Sequence, residues 1–161
     1  MSPRARHAVA AFSGSRLRDL RREQHLSQEQ LARRLVAAAE QPATDVTKAV
    51  TRERLKIVAY EQGSRRPRAD ALHGLAAALD VTPHALLDPA APVTVELLRA
   101  LQNLTQGQIA GQLGLSQARY SQLENGQGSL DSARLARLAG LLQVPAADLA
   151  RIVPTSAQES P

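Results

Sequence analysis

Much of this chain is written twice, and that constrains its fold more than any other feature. Residues Leu26-Ser-Gln-Glu-Gln-Leu-Ala32 match Leu104-Thr-Gln-Gly-Gln-Ile-Ala110 at an offset of 78, and Leu35 matches Leu113 at the same offset. Further on, Glu61 and Gly63 match Glu124 and Gly126, now at an offset of 63. At that second offset Leu72, Leu75, Ala76, Leu79, Val81 and Leu86 match Leu135, Leu138, Ala139, Leu142, Val144 and Leu149. The fall from 78 to 63 means that the first copy carries 15 extra residues, at roughly 36–50. Scattered leucine matches arise by chance in a Leu/Ala-rich chain, but Ser/Thr-Gln-x-Gln and Glu-x-Gly held in register point to a duplication. In 161 residues, a duplication predicts two small domains in place of one.

Composition narrows what those domains do. Hydrophobic residues are 43% and charged residues 22%, a globular balance, and no apolar run approaches the ~18 residues of a membrane span. The absence of cysteine excludes disulfides, thiolate metal sites and a cysteine nucleophile. The basic start lacks the sustained apolar stretch of a secretory signal, so the expected location is the cytoplasm. Phe12, Tyr60 and Tyr120 are the only aromatics, too few for a stacking platform that grips single strands. Of the 20 basic residues 18 are arginine, the side chain best shaped to hold phosphate bidentately. Residues 1–88 hold 15 basic against 10 acidic side chains and residues 89–161 hold 5 against 5, so the whole net charge of +5 lies in the first half.

Each copy reads as a string of short helices. In the second, Thr94 opens an amphipathic stretch with Val95, Leu98 and Leu101 on one face, and Thr105-Gln-Gly-Gln108 is a capping box that starts a helix at Gln106. Gly114 stops it, Ser116 caps the next helix over 117–124, and Asn125-Gly126 ends that one. Two more follow, over 131–142 and after Pro145. The first copy expects helices over 16–25, from the Ser27 cap, from Thr51 or Glu53 to Glu61, over 70–79, and from Pro83. Asp88-Pro-Ala-Ala-Pro92 is a stiff link. The expected layout is a flexible basic arm over 1–13, a first domain over 14–88, a linker over 89–92, a second domain over 93–153 and a flexible tail over 154–161.

Residues 104–126, Leu-Thr-Gln-x-x-Ile-Ala-x-x-Leu-Gly-Leu-Ser-Gln-x-x-Tyr-Ser-x-Leu-Glu-Asn-Gly, resemble the helix-turn-helix of the lambda-repressor and Cro family, also called the xenobiotic-response-element type. The resemblance implies an all-α chain of two tandem five-helix domains, the first with an insertion. It implies binding to double-stranded DNA, with the second helix across the phosphates and the third in the major groove. Carried over, Gln117, Ala118, Ser121 and Gln122 face the bases, with Arg119 beside them. Gln106 braces Gln117, and Gln106, Asn125 and Gln28 lie at the backbone. The chemistry is suited to this: Gln pairs bidentately with adenine, Ala touches a thymine methyl, and i, i+1, i+4, i+5 is one helical face.

The first copy departs from the pattern. Val36 replaces the turn glycine, so its second helix is expected to run on through Glu40, and Arg54, Leu55, Val58 and Ala59 take the base-facing positions. Apolar Leu55 and Val58 cannot read a hydrogen-bond code. Either Leu55, Val58 and Ala59 cover the insertion or a protein partner, or the helix enters the groove and senses only methyl groups and shape. Arg52, Arg54, Lys56, Arg65, Arg66 and Arg68 are placed for phosphates if this copy docks.

Enzyme readings find no support. His7, His25, His73 and His84 lack metal-ligand spacing, and no phosphate-binding glycine loop is present. No cofactor or metal is expected. Gly107, Gly111 and Gly74, within helices, each cost about 1 kcal/mol against Ala and carry no assigned role. The expectation is a sequence-specific DNA-binding regulator, a repressor and homodimer. The alternatives are an antitoxin or other partner-binding regulator, or a nonspecific nucleoid binder.

Overall fold

The computed structural model describes residues 8–156; expectations for residues 1–7, His7 among them, and for 157–161 lie outside it. The described chain is helical and divides into two units, 1–92 and 93–161. The boundary falls at the end of the proline-containing link. In the first unit α1 spans Gly14–Glu23, α2 Gln28–Ala37, α3 Val46–Glu61 and α4 Ala69–Ala78, followed by a 3₁₀ turn at Pro83–Leu86. In the second, α5 spans Val95–Leu101, α6 Gln106–Leu113, α7 Gln117–Glu124, α8 Ser132–Leu142 and α9 Ala146–Leu149. No described helix is long and apolar enough to cross a membrane.

Each unit wraps its helices around aliphatic side chains spaced three and four apart. In the first, Leu17, Leu31, Ile57, Leu72, Leu75, Leu79 and Leu86 are essentially inaccessible. In the second, Val95, Ile109, Leu113, Tyr120, Leu138, Leu142 and Leu149 form the centre. These cores are small, so a buried polar network contributes much of the order.

That network occurs in both units. Arg21 on α1 donates from Nε to Glu61 Oε1 at 2.6 Å and from its two terminal nitrogens to Glu61 Oε2 at 2.9 Å and the Leu26 carbonyl at 2.7 Å. Gln28 adds an amide donor to Glu61 Oε2 at 2.8 Å. At offsets of 78 and 63, Arg99 donates to both Glu124 oxygens and to the Leu104 carbonyl, and Gln106 Nε2 donates to Glu124 Oε2 at 2.7 Å. Gln24 and Gln102 cap the Leu79 and Leu142 carbonyls in the same way. Left-handed residues also correspond: His25 with Asn103 (φ 56° and 54°) and Asp80 with Gln143 (53° and 56°).

Several boundaries differ from the sequence reading. α1 starts at Gly14, two residues early, because Ser13 caps it. Gly14 packs so tightly against α3 that a Cβ there would collide with the Tyr60 carbonyl oxygen. α2 ends at Ala37 and does not reach Glu40. α3 begins at Val46, well before Thr51, because Asp45 accepts from the Lys48 backbone N–H at 3.0 Å and so caps an earlier start. The insertion is therefore a loop over 38–45 followed by an N-terminal extension of α3. Nor are the inner ends of the arm and tail loose. Val9 and Phe12 are buried, Phe12 meets Tyr60 edge-on at 5.9 Å, and Ser13 N–H donates to Leu86. At the other end Leu130 exchanges backbone hydrogen bonds with Pro154 and Ser156. One or two apolar anchors suffice to order such segments without any periodic pattern.

Two outcomes follow from the network. Glu124→Ala leaves the Arg99 guanidinium buried without its counter-charge and is expected to cost about 3–5 kcal/mol in urea denaturation. Burial pushes the Glu61 carboxyl up from its ordinary 4.5, but hydrogen bonds from Arg21 and Gln28 and the Arg21 and Arg18 charges outweigh it, so the group sits below that value. Its contribution is therefore complete above pH 4.5 and is lost as pH falls through the folded value. Acid titration of Glu61→Gln is expected to show a shallower loss of stability below that point than the natural chain.

Candidate nucleic-acid interface

The second unit builds its helix pair from local chemistry. Thr105 Oγ1 accepts from the Gln108 backbone N–H at 3.1 Å while Gln108 Oε1 accepts from the Thr105 N–H at 2.8 Å, closing a capping box at the start of α6. α6 stops at Gly114, whose φ of 65° favours a residue without Cβ. Ser116 then caps α7 by accepting from Arg119 N–H at 3.2 Å. Ala110 is buried in α6, and Tyr120 and Leu123 turn α7's inner side to the core. Burial first, and then the neighbouring Glu124 carboxylate, push the Tyr120 hydroxyl far above the ordinary phenol range, so it stays neutral.

With Tyr120 and Leu123 inward, α7 exposes Gln117, Ala118, Arg119 and Gln122 to solvent, and Ser121 in part. Gln117, Ala118, Ser121 and Gln122 share one helical face, as the sequence suggests. Among the described residues neither Gln117 nor Gln122 spends its side-chain amide on an intramolecular hydrogen bond, so both retain a donor and an acceptor for a ligand. The Gln117 amide lies over Gly107, whose missing Cβ would sit 3.7 Å from Gln117 Oε1. Asn125 is exposed at the C-cap of α7.

Two residues expected at the DNA backbone belong to the network. Gln106 is 7% exposed and gives its amide to Glu124; it does not brace Gln117. Gln28 likewise turns to Glu61. Each amide thus commits one of its two N–H groups to a buried carboxylate. Sequence reasoning missed the cause. Arg21 and Arg99 lie on amphipathic helices where arginine reads as surface, although the offset of 78 that aligns Leu26 with Leu104 aligns them too.

The first unit places its arginines differently. Arg54, Arg65 and Arg66 are exposed and, among the described residues, have no acidic partner. Arg68 meets Asp70 at 3.3 Å, Lys56 meets Glu53 at 2.8 Å, and Arg52 meets Glu53 at 3.8 Å. Leu55 is 58% exposed, with Val58 and Ala59 half-buried. The turn after the third helix inverts its charge between units. Arg65, Arg66 and Arg68 correspond at the offset of 63 to Gly128, Ser129 and Asp131. The hydrogen bond from the Arg134 backbone N–H is the main reason that the Asp131 carboxyl lies below its ordinary range.

Comparison with known proteins fits the second unit. No curated protein and no solved structure shows significant similarity to the chain. Residues 95–149 match the family model described as Helix-turn-helix, a family of DNA-binding regulators.

Proposed function

We propose that the chain is a sequence-specific regulator of transcription, a repressor that reads double-stranded DNA with α7 of its second unit. The observation that carries this reading is the face of Gln117, Ala118, Ser121 and Gln122, polar, solvated and free of internal hydrogen bonds, on a helix held by a tight turn. Arg119 beside it reaches guanine or phosphate, and Asn125 a phosphate. The two units are tandem copies of one ancestral fold, a reading supported by the recurrence of the Arg–Glu–Gln contacts and the left-handed residues at shared offsets. Division of labour follows from their differences. Arg54, Arg65, Arg66 and Arg68 supply sequence-independent attraction to phosphate, and the second unit supplies discrimination. Because only one unit carries a hydrogen-bonding face, a palindromic operator requires two chains, so the chain acts as a homodimer on the nucleoid.

On a duplex selected for binding, Gln117→Ala and Gln122→Ala are each expected to cost about 1–3 kcal/mol, with little change on random duplex. Equal losses on both would remove the second unit as reader. Replacing Arg65, Arg66 and Arg68 with Ala is expected to weaken all duplexes alike and to reduce the slope of log K against log salt by up to ~0.9 for each phosphate no longer neutralised. Titration at several salt concentrations measures it, and an unchanged slope would mean that this turn stands off the DNA.

A further inference from the structure

The outer side of α3 differs in chemistry from the face of α7 with which it aligns, and its first eight residues extend beyond that face. Its inner side, Ala49, Val50, Ile57, Tyr60 and Glu61, is buried. Opposite runs a stripe at i, i+3, i+4 and i+7 spacing: Lys48, Thr51, Arg52, Leu55, Val58 and Ala59. Leu55, 58% exposed, is one of three large hydrophobic side chains that the described residues leave in solvent. The stripe is apolar towards its C-terminal end and basic towards its N-terminal end, and it contains no carboxylate.

This pattern discriminates among occupants. DNA is disfavoured by shape and by chemistry. α3 has 16 residues where α7 has 8. Its first eight therefore project about 12 Å ahead of the position where α7 begins, and the major groove is only about 8.5 Å deep. Leu55 and Val58 would also replace hydrogen-bonding side chains at the bases. A second copy of the chain is disfavoured by charge, because antiparallel self-pairing would set Lys48 and Arg52 against the exposed Arg65 that follows the helix, with no acid on the stripe to offset them. An acidic amphipathic helix of another protein satisfies both halves: its apolar residues cover Leu55, Val58 and Ala59, and its carboxylates meet Lys48 and Arg52. The acids now facing those two cations are weak competitors. Lys48 meets Asp45 at 3.5 Å with its side chain 87% exposed, and Arg52 meets Glu53 at 3.8 Å with its side chain 71% exposed.

We propose that the outer stripe of α3, Lys48 to Ala59, is a docking surface for an acidic amphipathic helix of a partner protein. It does not depend on the second unit reading DNA.

The test uses the full chain and a displayed library of helical 20-residue peptides. Enriched peptides are expected to carry apolar residues at i, i+3 or i+4, and i+7, with Asp or Glu at one end. Leu55→Ser, and separately the pair Lys48→Gln and Arg52→Gln, are expected to weaken them at least tenfold. Leu55 is exposed, so Leu55→Ser is expected to leave the helical circular dichroism unchanged and to keep affinity for a random-sequence duplex within twofold. The proposal is overturned if enriched peptides are not acidic and amphipathic, or bind Leu55→Ser as well as the natural chain. It is also overturned if Leu55→Ser weakens the random duplex as much as the peptides, which would make the stripe a DNA face. The Gln117 and Gln122 variants address the other unit, so failure here leaves the reading by α7 standing or falling on its own result.

Discussion

A buried carboxylate at the end of the third helix is the point on which each unit turns. Glu61 and Glu124 each receive an arginine from the first helix and a glutamine from the second, while the same arginine holds the carbonyl of the loop between those helices. Three helices and a loop are thus tied at one site. Taking those charges out of water costs several kcal/mol per ion, and attraction repays it because both carboxylate oxygens are engaged and each guanidinium gives hydrogen bonds from all three of its nitrogens. An apolar substitute of equal volume could match the energy, but it would not specify which end of the third helix meets which turn of the first. The network therefore sets the angle at which the third helix is offered to solvent.

That constraint decides which side chains are available for recognition. Gln106 stands at the start of α6, where a polar residue would be expected to meet phosphate, yet the carboxylate claims its amide. Among the described residues, Gln117 and Gln122 make no side-chain hydrogen bond and remain unspent. The first unit, which has the same kind of network, carries Leu55 and Val58 at the positions aligned with Ala118 and Ser121, and arginines in the turn where the second unit has Gly128, Ser129 and Asp131. The two units thus present two kinds of surface, and the difference lies in side chains that the network does not touch.

Much of this is legible in the sequence wherever the signal is local. The capping box at Thr105, the stop at Gly114, the cap at Ser116 and the ends of α6 and α7 are all dictated by residues within a turn of the boundary. The early start of α3 is also local, in Asp45, but alignment to the shorter second copy draws the boundary to Thr51. Long-range effects are not legible. Val9 and Phe12 gain order only from Tyr60 and the residues around Leu86, far away in sequence, and Arg21 and Arg99 become core residues only because Glu61 and Glu124 arrive opposite them. A charged residue on an amphipathic helix gives no sign of this by itself; its repetition 78 residues on, at the offset that aligns Leu26 with Leu104, does.

On the proposed reading, one face per chain, that of α7 in the second unit, selects the sequence bound. Selection of bound sites from a random duplex pool by the full chain tests this most directly. The expected result is an enriched motif of two like half-sites in inverted order, with A·T pairs where Gln117 and Gln122 reach. A bound pool indistinguishable from the input, or two unlike half-sites in direct order, would contradict it.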